Sequence, residues 1–88
     1  MAQRRCMLLH EGDDVAVLLE DGQPQDWIDA GGAKVVLTSA IPLFHKIALR
    51  RFGAGDIVHK VGEEIGVTTQ PIAPGEQVHV HNIKSLRR

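Results

Sequence analysis

The apolar residues of this 88-residue chain come in short, β-branched runs bounded by Gly, Pro or Asp. This pattern is typical of strands rather than helices. Gly and Pro supply the positive or fixed φ that turns require, and they separate the runs. We therefore predict a mainly β domain with little helix and with strands at residues 7–10, 15–19, 34–38, 45–49, 56–60, 65–68 and 77–81.

One turn-and-strand unit recurs after twenty residues. The segment from Phe52 to His59 aligns with that from Ile72 to His79, each with an apolar anchor, a turn with Gly, an acid, a buried Val and an outward His. A weaker third copy occupies residues 12–15. Because a solenoid needs at least three stacked repeats, the two clear copies indicate pseudo-symmetry within one domain.

Length, composition and net charge limit the classes of protein to which this chain can belong. With 43% hydrophobic and 24% charged residues, the chain should fold, and its length fits one domain spanning residues 1–88. A chain of this size buries only roughly 60 to 65% of its unfolded surface, which argues against a complete enzyme with a deep pocket. Ten Lys and Arg against eleven Asp and Glu leave a net charge of −1, so the chain lacks the basic field that nucleic-acid binding needs.

The single cysteine, Cys6, excludes an internal disulfide and a multi-thiolate metal cluster. A reducing, cytoplasmic location fits this cysteine usage. The basic start is followed by too short an apolar stretch for a signal peptide, and no run approaches the roughly twenty residues of a membrane span. We expect a cytoplasmic protein without a membrane segment.

The densest polar cluster is the segment 78–82. Strand alternation would place both valines on one face and His79 and His81 on the other. Such a pair could share a divalent metal, could bind the carboxylate and hydroxyls of a sugar acid, or could be two exposed side chains on the wet side of an edge strand. A metal site would need a further ligand, for which His45 and His59 are the candidates.

Other polar residues carry weaker signals. Lys46 and Lys60 could face an anionic ligand or an acidic partner, or could be ordinary surface lysines. Trp27 is expected in the core or at an interface. No dinucleotide-binding, phosphate-loop or serine-nucleophile motif occurs. The acids at turns are interpreted as solvating residues rather than a general acid and base: Asp13, Asp14, Glu20, Asp21, Glu63 and Glu64.

The order of four motifs is similar to that of a known family. These motifs are His45-Lys46-Ile47-Ala48-Leu49, Gly55-Asp56-x-Val58, Lys60-x-Gly62-x-x-Ile65-Gly66 and Ile72-x-x-Gly75-Glu76-x-Val78-His79-Val80-His81-Asn82. Together they resemble the SAF domain of the altronate and galactarate dehydratase family. The resemblance runs from about Ala40 to Lys84. In some members, such as sulfolactate sulfo-lyase, this domain is a separate small alpha subunit.

The resemblance implies a compact β-clip fold and a lyase that removes water or sulfite from a 2-hydroxy acid such as altronate, galactarate or sulfolactate. It also implies a large catalytic subunit as partner and a divalent metal (iron, manganese or magnesium) in the complete enzyme, with no cofactor in this chain alone. His79 and His81 are the catalytic candidates and weak metal-ligand candidates. The residues carried over as substrate-binding are His45, Lys46, Lys60 and Asn82.

Two positions depart from the family pattern. Phe44 stands where Gly usually precedes His-Lys, and Val61 stands where Tyr often follows Lys. Because Phe does not easily adopt the left-handed conformation, we expect either another turn type or a redirected segment before His45.

Two hypotheses for function follow from these observations. The chain is either an accessory subunit that completes the active site or interface of a large dehydratase, or a stand-alone sugar-acid-binding, oligomerising or regulatory module without catalysis. The short apolar strands also predict self-association of the isolated chain. The residues leave open which acid is bound, whether water or sulfite leaves, and which metal takes part.

Overall fold

The computed structural model describes residues 2–86, and in that range the chain forms nine strands and no helix. Accordingly, no helix in this range is long and apolar enough to cross a membrane. The prediction of a mainly β domain is confirmed. The strands are β1 Cys6–Met7, β2 Val15–Leu18, β3 Trp27–Ala30, β4 Ala33–Val36, β5 Lys46–Ala48, β6 Ile57–Lys60, β7 Glu63–Thr68, β8 Gln77–Val78 and β9 Ile83–Ser85.

Every predicted strand overlaps an observed one, but β3 and β9 were not predicted. Both contain an exposed charged residue, Asp29 in β3 and Lys84 in β9, which interrupts the apolar run. The prediction for residues 77–81 was too long, because β8 ends at Val78.

The strands form three antiparallel sheets, and the central one has the order β1-β2-β5-β8. Cross-strand neighbours Ala16 and Ile47 lie on one face of this sheet, while Val15 and Ala48 lie on the other. The first face packs against the β3–β4 hairpin and the second against the sheet β6-β7-β9. Apolar contacts on both faces explain why all four residues of β2 are buried.

The same four-residue turn precedes β3, β5, β6 and β8, at residues 23–26, 42–45, 53–56 and 73–76. In each, the N–H of the fourth residue donates to the carbonyl of the first, over 3.0 to 3.3 Å. The third residue has a positive φ, as a type II turn requires. Those residues are Gln25 (φ 74°), Phe44 (φ 70°), Gly55 (φ 88°) and Gly75 (φ 91°). The expectation of another turn type at Phe44 is therefore wrong.

The residues just before these turns pair with one another. Phe52 and Ile72, the two anchors of the predicted repeat, exchange backbone hydrogen bonds of 2.8 and 3.0 Å and are each 1% exposed. Gly22 and Ile41 form a second bridge of the same kind. The internal repeat is thus confirmed and extends to four units in two pairs. The weaker copy at residues 12–15 overlaps a turn at residues 10–13, which has the same hydrogen bond and Gly12 at φ 88°.

Candidate functional site

His45 is the fourth residue of its turn, and the fourth residue of each of the three other turns is an acid. In those three turns the carboxylate accepts the N–H of the first turn residue, over 2.5 to 2.9 Å. In the turn before β5 the first residue is Pro42, which has no N–H to be capped. An acid would have no hydrogen bond to accept at this position, so the turn can carry an imidazole instead. The capped pairs are Gln23 with Asp26, Gly53 with Asp56, and Ala73 with Glu76.

Pairing of β5 with β8 brings His45 next to His79. Lys46 is opposite Val78 in the ladder, and the two histidine rings beside them lie 5.1 Å apart between centroids. The Nδ1 of His45 is 2.6 Å from Nε2 of Gln77. Because an amide NH₂ can only donate, Nδ1 accepts, and neutral His45 carries its proton on Nε2. His45 therefore presents an oriented N–H donor beside the exposed ring of His79.

Two lysines form a second pair, separate from the contact between His45 and His79. Lys46 follows His45 in β5 and is half buried, and Lys60 ends β6. Burial lowers the pKa of the Lys46 ammonium, and the nearby charge of Lys60 lowers it further. Since the two like charges repel, an anion near both would be stabilised. The structure thus brings together two separate pairs of predicted residues, His45 with His79 and Lys46 with Lys60.

His81 and Asn82 are placed differently from the prediction. Residues 79–82 form a turn rather than a strand, so alternation does not put His79 and His81 on one face; Val80 is 81% exposed. Asn82 is only 2% exposed. Its Oδ1 accepts the N–H of His79 (2.9 Å) and its Nδ2 donates to the carbonyl of Gln77 (2.8 Å). Asn82 thereby holds the turn that carries His79.

Residues 2–86 do not form a metal site by themselves. Among residues 2–86 no three His, Cys, Asp or Glu side chains are grouped so that they could hold a metal ion. The contact between His45 and His79 offers two imidazoles, whereas a protein site normally needs three or four ligands.

The side chains of both pairs reach solvent, since His45, Lys46 and Lys60 are half buried and His79 is exposed. A groove of about 540 Å³ lies elsewhere, beside the carboxylates of Asp13 and Asp14, and none of the six predicted site residues lines it. Lys60 and Val61 line a separate depression of about 340 Å³ together with two acids, Glu63 and Glu64. Both pairs are therefore accessible at least in part, so that a second chain could cover a ligand bound at either of them.

The family model of the altronate/galactarate dehydratase SAF domain matches residues 4–86. This chain belongs to that SAF domain family. The resemblance seen in the motifs from His45 to Asn82 is confirmed, and the match extends to β1 and β2, which precede those motifs.

Curated relatives of this SAF domain differ in length. This chain is 36% identical over 77 residues to altronate dehydratase of Bacillus subtilis. The match covers 88% of this chain but only 16% of that protein. The chain is 33% identical over 88 residues to the alpha subunit of (2R)-sulfolactate sulfo-lyase of Chromohalobacter salexigens, covering 91% of this chain and 94% of the subunit. The alpha subunit of Paracoccus pantotrophus is 37% identical over 59 residues, 67% of this chain and 88% of that subunit. The SAF domain is thus part of a long chain in one relative and nearly a whole subunit in the others.

The SAF domain also contains a buried ionic network that the sequence pattern did not reveal. Asp14, interpreted as a solvating acid, is only 8% exposed. Its carboxylate accepts hydrogen bonds from Nε of Arg50, and from the backbone N–H and Nδ1 of His59, each over 2.9 Å. Burial raises the pKa of Asp14, but these hydrogen bonds outweigh it and the net shift is downward. The partners are 36 and 45 residues away, so no local pattern could have identified them.

Proposed function

We propose that this SAF domain is the small subunit of a lyase that eliminates water or sulfite from a 2-hydroxy acid, and that it completes the active site of a large catalytic subunit. One observation carries the proposal. The chain covers 94% of the length of a sulfo-lyase alpha subunit, although it covers only 16% of altronate dehydratase. A domain that is a whole subunit in a relative needs a partner for the rest of the machinery.

The lysine pair and the histidine pair support recognition of such an acid. The ammonium groups of Lys46 and Lys60 suit a carboxylate or sulfonate, and the Nε2–H of His45 suits a carboxylate or hydroxyl oxygen. Elimination needs a base for the α-proton and an acid for the leaving group. His79 is exposed beside His45 and is our candidate for one of these proton transfers, while His81 is the second candidate.

The proposal also includes a metal ion in the large subunit and a cytoplasmic location. The divalent metal implied for the complete enzyme would be held by the large subunit, because residues 2–86 contain no group of three ligands for it. Cys6 is a free thiol, which suits a reducing, cytoplasmic setting.

The test is a tagged pull-down from the source cell, followed by reconstitution of the SAF domain with the large subunit that co-purifies. Altronate, galactarate and sulfolactate are the substrates to assay. We expect the small chain to raise turnover, and His45→Ala and His79→Ala to lower it by about 100-fold. Lys34→Ala, which removes an exposed lysine of β4 that is not among the candidate site residues, is the control and should keep full activity.

Two results would contradict the proposal. Either no large subunit co-purifies, or turnover by that subunit does not depend on the small chain. Binding of an acid by the SAF domain without a partner would then favour the stand-alone module.

A further inference from the structure

The internal repeat places two histidines in equivalent positions, His59 in the first clear copy and His79 in the second. The backbone N–H of each donates to a polar side chain over 2.9 Å. The acceptor is the carboxylate of Asp14 for His59 and the Oδ1 of Asn82 for His79. This backbone hydrogen bond is therefore a structural feature of the repeat, and it does not depend on the side chain at either position.

The ring of His59 makes a contact beyond this shared one. Its Nδ1 lies 2.9 Å from the Oδ2 of Asp14, the oxygen that also accepts the backbone N–H. The other oxygen of Asp14 accepts a hydrogen bond from Nε of Arg50 over 2.9 Å. Each carboxylate oxygen thus has a donor without the imidazole, so the link from β2 to β6 does not require a histidine ring.

Asp14 fixes which nitrogen of the ring carries the proton. Burial raises the pKa of Asp14, but its hydrogen bonds lower it by more, so the carboxylate is ionised at neutral pH and can only accept. Neutral His59 therefore has its proton on Nδ1 and a lone pair on Nε2. His45 has the opposite arrangement, because the amide of Gln77 donates to its Nδ1. His59 is thus an oriented proton acceptor, whereas His45 is an oriented donor.

The free nitrogen of His59 lies beside the depression that Lys60 lines. The side chain of His59 is 41% exposed, and within residues 2–86 its Nε2 has no hydrogen-bond partner. This Nε2 is 4.0 Å from Oε2 of Glu64, which lines that depression together with Lys60. The carboxylates of Asp14 and Glu64 would both face the positive charge that the ring gains when Nε2 accepts a proton.

We propose that His59 is the base that removes the α-proton of the 2-hydroxy acid, and that Asp14 is the positioning residue that holds its ring. The α C–H bond breaks and the proton binds Nε2. The electron pair of that bond forms the double bond as the β leaving group departs with its own bonding pair. A carboxylate behind an imidazole keeps a histidine base in one tautomer and one orientation. The inference rests on the proposed function, which makes elimination the reaction, and it leaves the second proton transfer to His79.

The first test compares His59→Ala with His10→Ala in the reconstituted complex, with altronate, galactarate and sulfolactate as substrates. His10 is the matched control, because its exposed ring also donates from Nδ1, to the carbonyl of Glu11 over 2.7 Å, but has no carboxylate behind it. His59→Ala retains the backbone N–H that donates to Asp14, and urea denaturation checks that it is folded.

We expect kcat of His59→Ala to fall by about 100-fold or more with KM nearly unchanged. Imidazole added to the buffer should restore part of the lost turnover, because it can replace a missing base but not a missing structural contact. His10→Ala should keep full activity.

The second test examines the role of Asp14 by ¹⁵N NMR of the imidazole rings in the isolated chain. The neutral ring of His59 should carry its proton on Nδ1 in the wild type. Asp14→Asn should populate the other tautomer as well, because a carboxamide can donate as well as accept. A proton on Nε2 in the wild type would overturn the positioning by Asp14.

The outcomes separate this inference from the proposed function. If the wild-type complex is active and His59→Ala keeps full turnover, the role of His59 is overturned while the lyase function stands. A loss of turnover that imidazole does not restore shows a structural role and also overturns the base. If the wild-type complex acts on none of the three acids, both proposals fail.

Discussion

The Asp14→Ala substitution should strongly destabilise this SAF domain, although Asp14 lies outside the candidate site. The side chain of Asp14 is 11% exposed and joins β2 to β6 through His59 and to the residues after β5 through Arg50. Its removal leaves a guanidinium and the backbone N–H of His59 without their carboxylate acceptor.

The magnitude follows from the three hydrogen bonds. Bonds to a charged group contribute about 1.5 to 3 kcal/mol each when buried. Arg50 and His59 have side chains that are 45% and 41% exposed, so water compensates for part of the loss. We expect a loss of about 3 kcal/mol, which is a large fraction of the roughly 5 to 15 kcal/mol that stabilises a domain.

Urea denaturation at pH 7 measures this loss, with the fluorescence of Trp27, the single tryptophan, as the signal. For a slope of about 1 to 2 kcal/mol/M, the midpoint should fall by about 2 M. Asp29→Ala is the matched control, because this exposed acid accepts one N–H, that of Gly32, over 2.8 Å. Its loss should be below about 1 kcal/mol. A loss below 1 kcal/mol for Asp14→Ala would refute the reasoning.

The pH dependence provides a second check on Asp14. Its pKa is lower in the folded than in the unfolded chain, so protonation in acid costs the folded state. The stabilisation by Asp14 is complete above the unfolded value of about 3.9 and is lost as the pH falls through the lower folded value. The difference between wild type and Asp14→Ala should therefore be constant from about pH 5 to 7 and shrink below about pH 4. A difference that grows in acid would contradict this.

Three further predictions concern the turns, the thiol and assembly. Gly75→Ala and Gly55→Ala both place a Cβ at positive φ, but only at Gly75 would it lie 2.0 Å from the carbonyl oxygen of Val36. Thermal unfolding should show a loss of about 1 to 2 kcal/mol for Gly55→Ala and at least about 1 kcal/mol more for Gly75→Ala; equal losses would be a contradiction. Burial raises the pKa of the Cys6 thiol, and the charge of Asp29 adds to the rise, so iodoacetamide should modify Cys6 more slowly than free cysteine at pH 7.5; an equal rate would refute this. The isolated chain should self-associate through its exposed strand edges, which sedimentation at high concentration would test, with a purely monomeric profile as the contrary result.

Local signals made much of the fold predictable. Apolar runs with period two, and Gly or Pro between them, have structural meaning within a few residues, so the strand class and most strand positions were predicted correctly. The repeat was recognised at Gly55 and Gly75 because Gly marks positive φ. It was missed at Gln25 and Phe44, where the same turn forms with side chains that normally avoid that conformation.

The candidate site, like the fold, was only partly predictable from the sequence. The sequence alone determined the family, the β class and the set of basic and histidine residues, since these depend on residue types and spacing. Only the tertiary structure decided that His79 meets His45, that Asn82 is buried in a turn, and that Asp14 binds His59. The physical reason is that strand pairing and chain reversal bring together residues that are far apart in the sequence, and no local propensity encodes such distances.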